Sequence, residues 1–272
     1  MDDRLAIEFI CALALPPDEF VALAGGLGVS RIGLAARPIT ANPHDYPEWD
    51  LLADQALLRR TRGAMAEYGV TVALGEGFLL MPGAAPADFA PALDLMAGLG
   101  VPRVNVVSLG ADRGEAVENF ARFAELAGAR GMAATVEFLP LMWPASFAEA
   151  VDFVRASGAP NGQVLVDAMH FFRSGSSLED LAATDPGLIG HIQLCDVPMP
   201  ARVADYGLEA REERLAPGDG DLPLAAFLAA LPRTLTIGLE VPMTARARTG
   251  IRPRERLEPV VAAARGLLAT LD

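Results

Sequence analysis

A closed, eight-stranded α/β barrel is the fold this 272-residue sequence predicts, as a single domain over 1–272. Three observations lead there. Short β-branched runs alternate eight times with longer helical patterns, and eight consecutive βα units close into a parallel barrel rather than an open sheet. The length suits one barrel of about 250 residues, and a hydrophobic content of 52% is enough for one large core. No composition shift, low-complexity stretch or short repeat marks a second domain.

In order, the strand runs fall at 4–11 (RLAIEFIC), 30–35 (SRIGLA), 70–75 (VTVALG), 103–108 (RVNVVS), 133–138 (AATVEF), 163–168 (QVLVDA), 189–194 (IGHIQL) and 235–241 (LTIGLEV). Helical patterns lie near 17–26, 51–68, 87–98, 113–130, 146–157, 178–183, 222–230 and 253–270. The 113–130 pattern places Val117, Phe120, Ala124 and Ala127 on one face, as a 3.6-residue period requires. Asp18, Asp50 and Asp88 stand where first-turn acids or caps belong. Gly28, Gly69, Gly100, Gly131 and Gly158 each follow a helix and precede a strand, as helix-stop glycines do.

Composition excludes several functions. A formal net charge of −13 argues against nucleic-acid or anionic-membrane partners, which need basic patches. No apolar run approaches the roughly 20 residues of a membrane span, and MDDRLAIEF lacks the pattern of a signal peptide. Cys11 and Cys195 lie far apart inside strand regions, so free thiols and a reducing cytoplasmic location are expected. The chain has no lysine. Schiff-base chemistry and a Walker-type phosphate loop are therefore ruled out, and arginine supplies all basic side chains.

Four polar residues sit where apolar β-runs end: Glu137, Asp167, Gln193 and Glu240. Such positions face the catalytic mouth of an α/β barrel. Three carboxylates and an amide are oxygen ligands suited to one hard divalent cation. Alternation along each strand pairs Glu137 with Thr135, Asp167 with Leu165, Gln193 with His191 and Glu240 with Gly238. Uncompensated, three converging carboxylates force at least one to take up a proton. A divalent cation removes that conflict. Any one of the four read alone is an ordinary strand-end group facing solvent; it is the recurrence on consecutive strands that predicts a shared site.

The three histidines separate by position. His170, three residues after Asp167, is placed to meet substrate as an acid or base, or else to orient Asp167. His191 points inward below Gln193, as a core group or as the ligand in its place. His44, in ANPHDYPEW, belongs to the surface or to a lid with Trp49. The long 196–221 connection, with a charged helical stretch and a Pro217–Gly220 turn, reads as a functional loop. Glu8 and Glu76 are weaker mouth candidates. Trp143 either walls the pocket or packs between helices.

VEFLP, VLVDAMHFFRSG, HIQLCDVP, ERLAPGDGDLPL and IGLEVP resemble the successive signature segments of the sugar-phosphate isomerase/epimerase family, which has the xylose-isomerase-like TIM barrel. The resemblance covers about 130–245, and the N-terminal half shares only the barrel rhythm. It implies one divalent metal, foremost Mn²⁺ with Mg²⁺, Co²⁺ or Zn²⁺ as alternatives, held by Glu137, Asp167, Gln193 and Glu240. Many members carry histidine at the place of Gln193. The glutamine variant is similar to hydroxypyruvate isomerases and to metal-dependent 3-dehydroshikimate dehydratases, which share the Asp-x-x-His spacing of Asp167 and His170. Arg214 resembles the family's substrate-anion arginine; its alternative is an ion pair on a solvated helix.

These readings predict an isomerase or epimerase of a small sugar, sugar phosphate or hydroxy-keto acid. Glu137 and Glu240 would remove and return a proton next to a carbonyl, through a metal-stabilised ene-diolate. The alternatives are a dehydratase, with His170 as acid or base, and a non-catalytic accessory barrel. The related apurinic-endonuclease barrels use three metals and many histidines, which three histidines and the acidic charge do not match. The expected partner is a small carbohydrate-like molecule, and a homo-oligomer is compatible with the sequence.

Overall fold

A computed structural model of the chain describes residues 4–110 and 112–271. Eight parallel strands hydrogen-bond in chain order, and the last pairs back onto the first to close the barrel. They are β1 Leu5–Ile7, β2 Arg31–Ala35, β3 Thr71–Leu80, β4 Arg103–Ser108, β5 Ala133–Glu137, β6 Gly162–Asp167, β7 Ile189–Leu194 and β8 Ile237–Leu239. The helices are α1 Pro17–Gly26, α2 Gln55–Tyr68, α3 Ala90–Gly98, α4 Arg113–Gly128, α5 Phe147–Ser157, α6 Ala168–Arg173, α7 Leu178–Ala183, α8 Tyr206–Leu208, α9 Leu224–Ala229, α10 Thr244–Arg248 and α11 Pro253–Ala269. A wider turn, Glu209–Glu213, continues α8. The barrel and its βα rhythm are as the sequence predicts.

Local chemistry sets the element boundaries. All five predicted helix-stop glycines have positive φ, from 63° at Gly158 to 77° at Gly131, the region that a side chain disfavours. The Asp54 side chain accepts from the backbone N–H of Ala56 and Leu57, so α2 starts at Gln55 rather than at 51. Asp50 instead accepts from Leu52 N–H and pairs with Arg37 at 2.8 Å. Asp18 lies in the first turn of α1, as expected, and Asp88 in the turn that leads into α3. Two short helices were not expected: α6 follows directly on β6, and α10 begins at Thr244, shortly after β8. Their six and five residues fall below the length at which periodicity is readable.

One continuous apolar cluster joins the strands to the helices around them, including Val136, Val166, Phe120, Phe147, Phe171 and Phe227. Inside the barrel, polar groups replace apolar ones towards the C-terminal strand ends. Thr135 and His191 are fully buried there, below Glu137 and Gln193. Asp167 is paired in register with Gln193, and Gln193 with Gly238. Among the described residues, no helix is long and apolar enough to cross a membrane.

Candidate functional site

A cavity of about 330 Å³ opens at the C-terminal ends of the strands. Its polar lining includes Glu76, Asn105, Glu137, His170, Gln193, Tyr206, Arg214 and Glu240. The predicted residues of β5, β7 and the end of β8 thus reach one space, together with His170 from α6. Asp167 lies beneath it, fully buried.

Each side chain has an identifiable anchor. Glu137 Oε2 accepts from Asn105 Nδ2 at 2.8 Å, and Thr135 Oγ1 donates to Asn105 Oδ1 at 2.9 Å, so a polar ladder across β4 and β5 fixes the carboxylate. Glu137 Oε1 lies 3.3 Å from His170 Nε2. His170 Nδ1 meets the Tyr206 hydroxyl, which orients the ring from its other side. Asp167 Oδ1 caps α6 through His170 N–H at 2.8 Å, and Asp167 Oδ2 accepts from Arg214 Nη1 at 2.7 Å. Gln193 and Glu240 are held differently. Gln193 Oε1 and Glu240 Oε2 are buried and accept no hydrogen bond from the described residues.

Arg214 is the site's main internal cation. It is 2% exposed and donates through Nε to Ala210 O at 2.8 Å. Nη1 also reaches Glu240 O at 3.3 Å, and Nη2 stands 3.6 Å from Glu240 Oε1. Burial opposes its charge, but Asp167 and Glu240 keep the guanidinium firmly protonated. In return, although burial alone would raise Asp167, the charges of Arg214 and His170 and the His170 N–H hold it below the usual carboxylate range. Glu240 moves the other way. Burial pushes it well above that range, Arg214 offsets only part of this, and the negative charges of Glu137, Asp167 and Glu76 add to the rise.

Beneath the mouth lies a second acidic group. Glu8 is fully buried, with Oε1 2.6 Å from His191 Nε2 and the Glu76 carboxyl beside it. Glu76 Oε1 accepts from Phe9 N–H at 2.9 Å. Space for this pair exists because Gly33 and Gly238 lack side chains. A Cβ at Gly238 would stand 1.6 Å from Glu8 Oε1, and one at Gly33 would stand 2.0 Å from Glu76 Oε1. Burial pushes Glu8 up to about 8, and burial pushes His191 down to about 3.

Several sequence expectations are revised. His191 is tied to Glu8 deep in the barrel, not placed as a ligand instead of Gln193. Trp143 does not line the cavity; its ring packs on Phe153 at 5.1 Å and under the Arg113 guanidinium at 5.2 Å, while Leu139, Leu141 and Met142 of the same loop form the wall. His44 packs on Tyr46, and Trp49 is a core residue whose Nε1 donates to Ala14 O, so neither lines the cavity. Arg214 is not a solvated helix ion pair: it lines the cavity and is held by Asp167, Glu240 and Ala210. Glu8 and Glu76, weak candidates in the sequence, are part of the built interior. Asn105 and Tyr206 were missed. Asn105 could have been found as a polar residue inside the apolar run RVNVVS, whereas nothing in the loop sequence singles out Tyr206. Cys11 and Cys195 are free and buried, and burial raises both thiols above their usual range, which disfavours thiolate chemistry.

The donor set fits a hard cation in its chemistry, because two of its oxygens, on Gln193 and Glu240, are buried acceptors without donors. The fit is not a ready-made cage: among the described residues no three His, Cys, Asp or Glu side chains stand as a metal cluster, and Arg214 bridges Asp167 and Glu240.

A family described as xylose isomerase-like TIM barrel has a sequence model that matches residues 29–259. No curated protein sequence matches the chain. Similar solved structures include the IolI protein with a bound zinc atom (18% identity, TM-score 0.75, 98% of this chain and 97% of that one). A second is the probable 3-DHS dehydratase AsbF from Bacillus anthracis (13%, 0.74, 96% and 98%). A third is D-psicose 3-epimerase in the presence of D-fructose (17%, 0.70, 97% and 99%). In a fusion protein of such a barrel with a 4-hydroxyphenylpyruvate dioxygenase (22%, 0.71, 89% of this chain), the chain spans 39% of that protein's length. At these identities the likeness is one of fold.

Proposed function

Because the chain belongs to the xylose isomerase-like TIM-barrel family, we propose that it is a divalent-metal-dependent isomerase or epimerase of a small sugar, sugar phosphate or hydroxy-keto acid. The observation that carries this reading is the pair of donorless buried oxygens, Gln193 Oε1 and Glu240 Oε2, on residues that line the cavity together with Glu137, with Asp167 buried beneath it. Glu137, Asp167, Gln193 and Glu240 would hold the ion, with Mn²⁺ foremost. When bound, the cation supplies Lewis acidity that lowers the cost of negative charge on adjacent carbonyl and hydroxyl oxygens.

The remaining chemistry belongs to the side chains. Glu137 and Glu240 come from strands three places apart in the barrel and flank the reacting carbon as the pair that removes and returns its proton. Asn105 fixes the orientation of Glu137, and Arg214 that of Asp167. Return of the proton to the neighbouring carbon gives isomerisation, and return to the opposite face gives epimerisation. His170, held between Glu137 and Tyr206, hydrogen-bonds a substrate oxygen and moves its proton.

A dehydratase is the second reading. His170 and Tyr206 favour it, since an imidazole backed by a phenol can protonate a departing hydroxyl. The resemblance in fold to a probable dehydratase is compatible with it.

Calorimetric titration of chelator-treated protein with Mn²⁺, alongside Glu240→Gln, tests the proposal. One-to-one binding that weakens at least about tenfold in the variant supports it, and solvent-deuterium uptake by ketoses and hydroxy-keto acids then separates isomerisation from dehydration. Absence of binding, or binding indifferent to the substitution, leaves the non-catalytic accessory barrel as the better reading.

A further inference from the structure

The cavity has two chemically unlike sides. The outer part of the wall on the β1 to β5 side is apolar, with Ile10, Ile39, Leu79, Leu141 and Met142 among its side chains, while Glu76, Asn105 and Glu137 of β3 to β5 form part of the floor. Several are open to solvent, with Leu141 68% and Ile39 49% exposed. The β7–β8 connection supplies Tyr206, Gly207, Arg211 and Arg214. A polyhydroxylated sugar presents hydrogen-bonding groups all round, whereas this cavity offers them from one side and from the floor.

Arg211 is the group the proposed chemistry leaves unused. The turn that carries it is pinned throughout. Arg173 pairs with Glu209 through Nε at 2.9 Å, Arg248 pairs with Glu212, Arg214 Nε holds Ala210 O, and Thr244 Oγ1 donates to Arg211 O at 2.8 Å. Asp205 caps the turn through Leu208 N–H at 2.8 Å. Glu209 and Glu212 are each taken by an arginine of another segment. Arg211 has no carboxylate within ion-pair distance among the described residues. Its guanidinium lies over Gly207, where a Cβ would stand 3.0 Å from Nη1, so the missing side chain leaves it room at the cavity edge.

A guanidinium offers parallel N–H donors matched to a carboxylate or phosphate edge. In a protein of net charge −13, an anionic substrate meets a repulsive field except where such a group offsets it. We propose that Arg211 forms an anion subsite, and that the substrate is a small hydroxy-carbonyl compound carrying a carboxylate or phosphate, with its carbon skeleton against the apolar side, rather than a neutral sugar. This rests on the reading of the mouth as the site where a carbonyl compound reacts.

Three probes with the same hydroxy-ketone core test it: dihydroxyacetone, hydroxypyruvate and dihydroxyacetone phosphate. Binding of each is measured by calorimetry to Mn²⁺-treated and chelator-treated protein, wild type and Arg211→Gln. Wild type is expected to bind at least one anionic probe about tenfold or more tightly than dihydroxyacetone, the advantage of a charge-assisted contact. Whichever anion shows the larger advantage identifies carboxylate or phosphate. Arg211→Gln is expected to abolish that advantage without changing dihydroxyacetone binding or the melting temperature. An advantage that survives the substitution overturns the proposal, as does wild type binding charged and neutral probes equally or none of them. The same preparations report on the metal. Anion preference without Mn²⁺ binding upholds the subsite and removes the metal reading; Mn²⁺ binding without anion preference does the reverse.

Discussion

Asp167 and Glu8 are both carboxyl groups with no exposed surface, and they resolve burial in opposite ways. Asp167 lies against the Arg214 guanidinium and a helix N-terminus, so it stays ionised despite burial. Glu8 has only the neutral His191 ring and another acid beside it, so burial wins and its pKa rises to about 8. One strand end thus keeps a fixed negative charge paired with Arg214 beneath the mouth, while Glu8 holds a proton. The same residue class serves two purposes, and the partners decide which.

The largest effect should come from removing the partner of the ionised acid. Arg214→Met leaves Asp167 buried and uncompensated and frees Glu240 of its guanidinium. We expect a loss of about 3–5 kcal/mol in chemical denaturation. A loss below about 1 kcal/mol would show that Asp167 takes up a proton instead, and that the contrast with Glu8 is one of degree.

Next in size is the cradle of the neutral acid. Gly238→Ala drives a methyl group into Glu8 Oε1, so the carboxyl has to leave its contact with His191. Overpacking of this kind costs about 1–3 kcal/mol, read as a lowered denaturation midpoint. An unchanged midpoint would mean that the Glu8 side chain has another place to go.

The smallest effect is on the pH profile. Between pH 4.5 and about 8, folded protein keeps the Glu8 proton that the unfolded chain has released. Stability from this group is therefore full below pH 4.5 and is lost as pH rises through about 8. His191 has the opposite slope. Its folded value near 3 against an ordinary 6.5 makes stability rise with pH between those values. Glu8→Gln should accordingly flatten the decline in melting temperature of metal-free protein between pH 6.5 and 8 and steepen the His191 rise between pH 4.5 and 6.5, with little change below pH 4.5. Parallel curves for variant and wild type would show that Glu8 is ionised in the folded protein.

Glu137, Asp167, Gln193 and Glu240 were readable because each ends an apolar run, and a period of two residues states which way a strand-end side chain points. The helix-stop glycines were readable for a similar reason: the left-handed turn each one makes is a local requirement. Arg214 was visible as a charged residue in a long loop, but whether it meets solvent, substrate or Asp167 depends on how that loop folds back. Trp143 illustrates the limit from the other direction. Its position after β5 is right for a pocket wall, yet Phe153 and Arg113 offer its ring more contact than the cavity does.

Local sequence determined the barrel, the order of its strands and the polar residues at the ends of β5 to β8, because periodicity and helix-stop chemistry act within a few residues. Tertiary structure alone decided the rest. Glu8 and His191 are 183 residues apart, and Gly33 and Gly238 matter only because barrel closure brings both against the same carboxyl. Which acid keeps its charge, and which arginine lacks a carboxylate partner among the described residues, follow from neighbours that the chain supplies only once the barrel has closed.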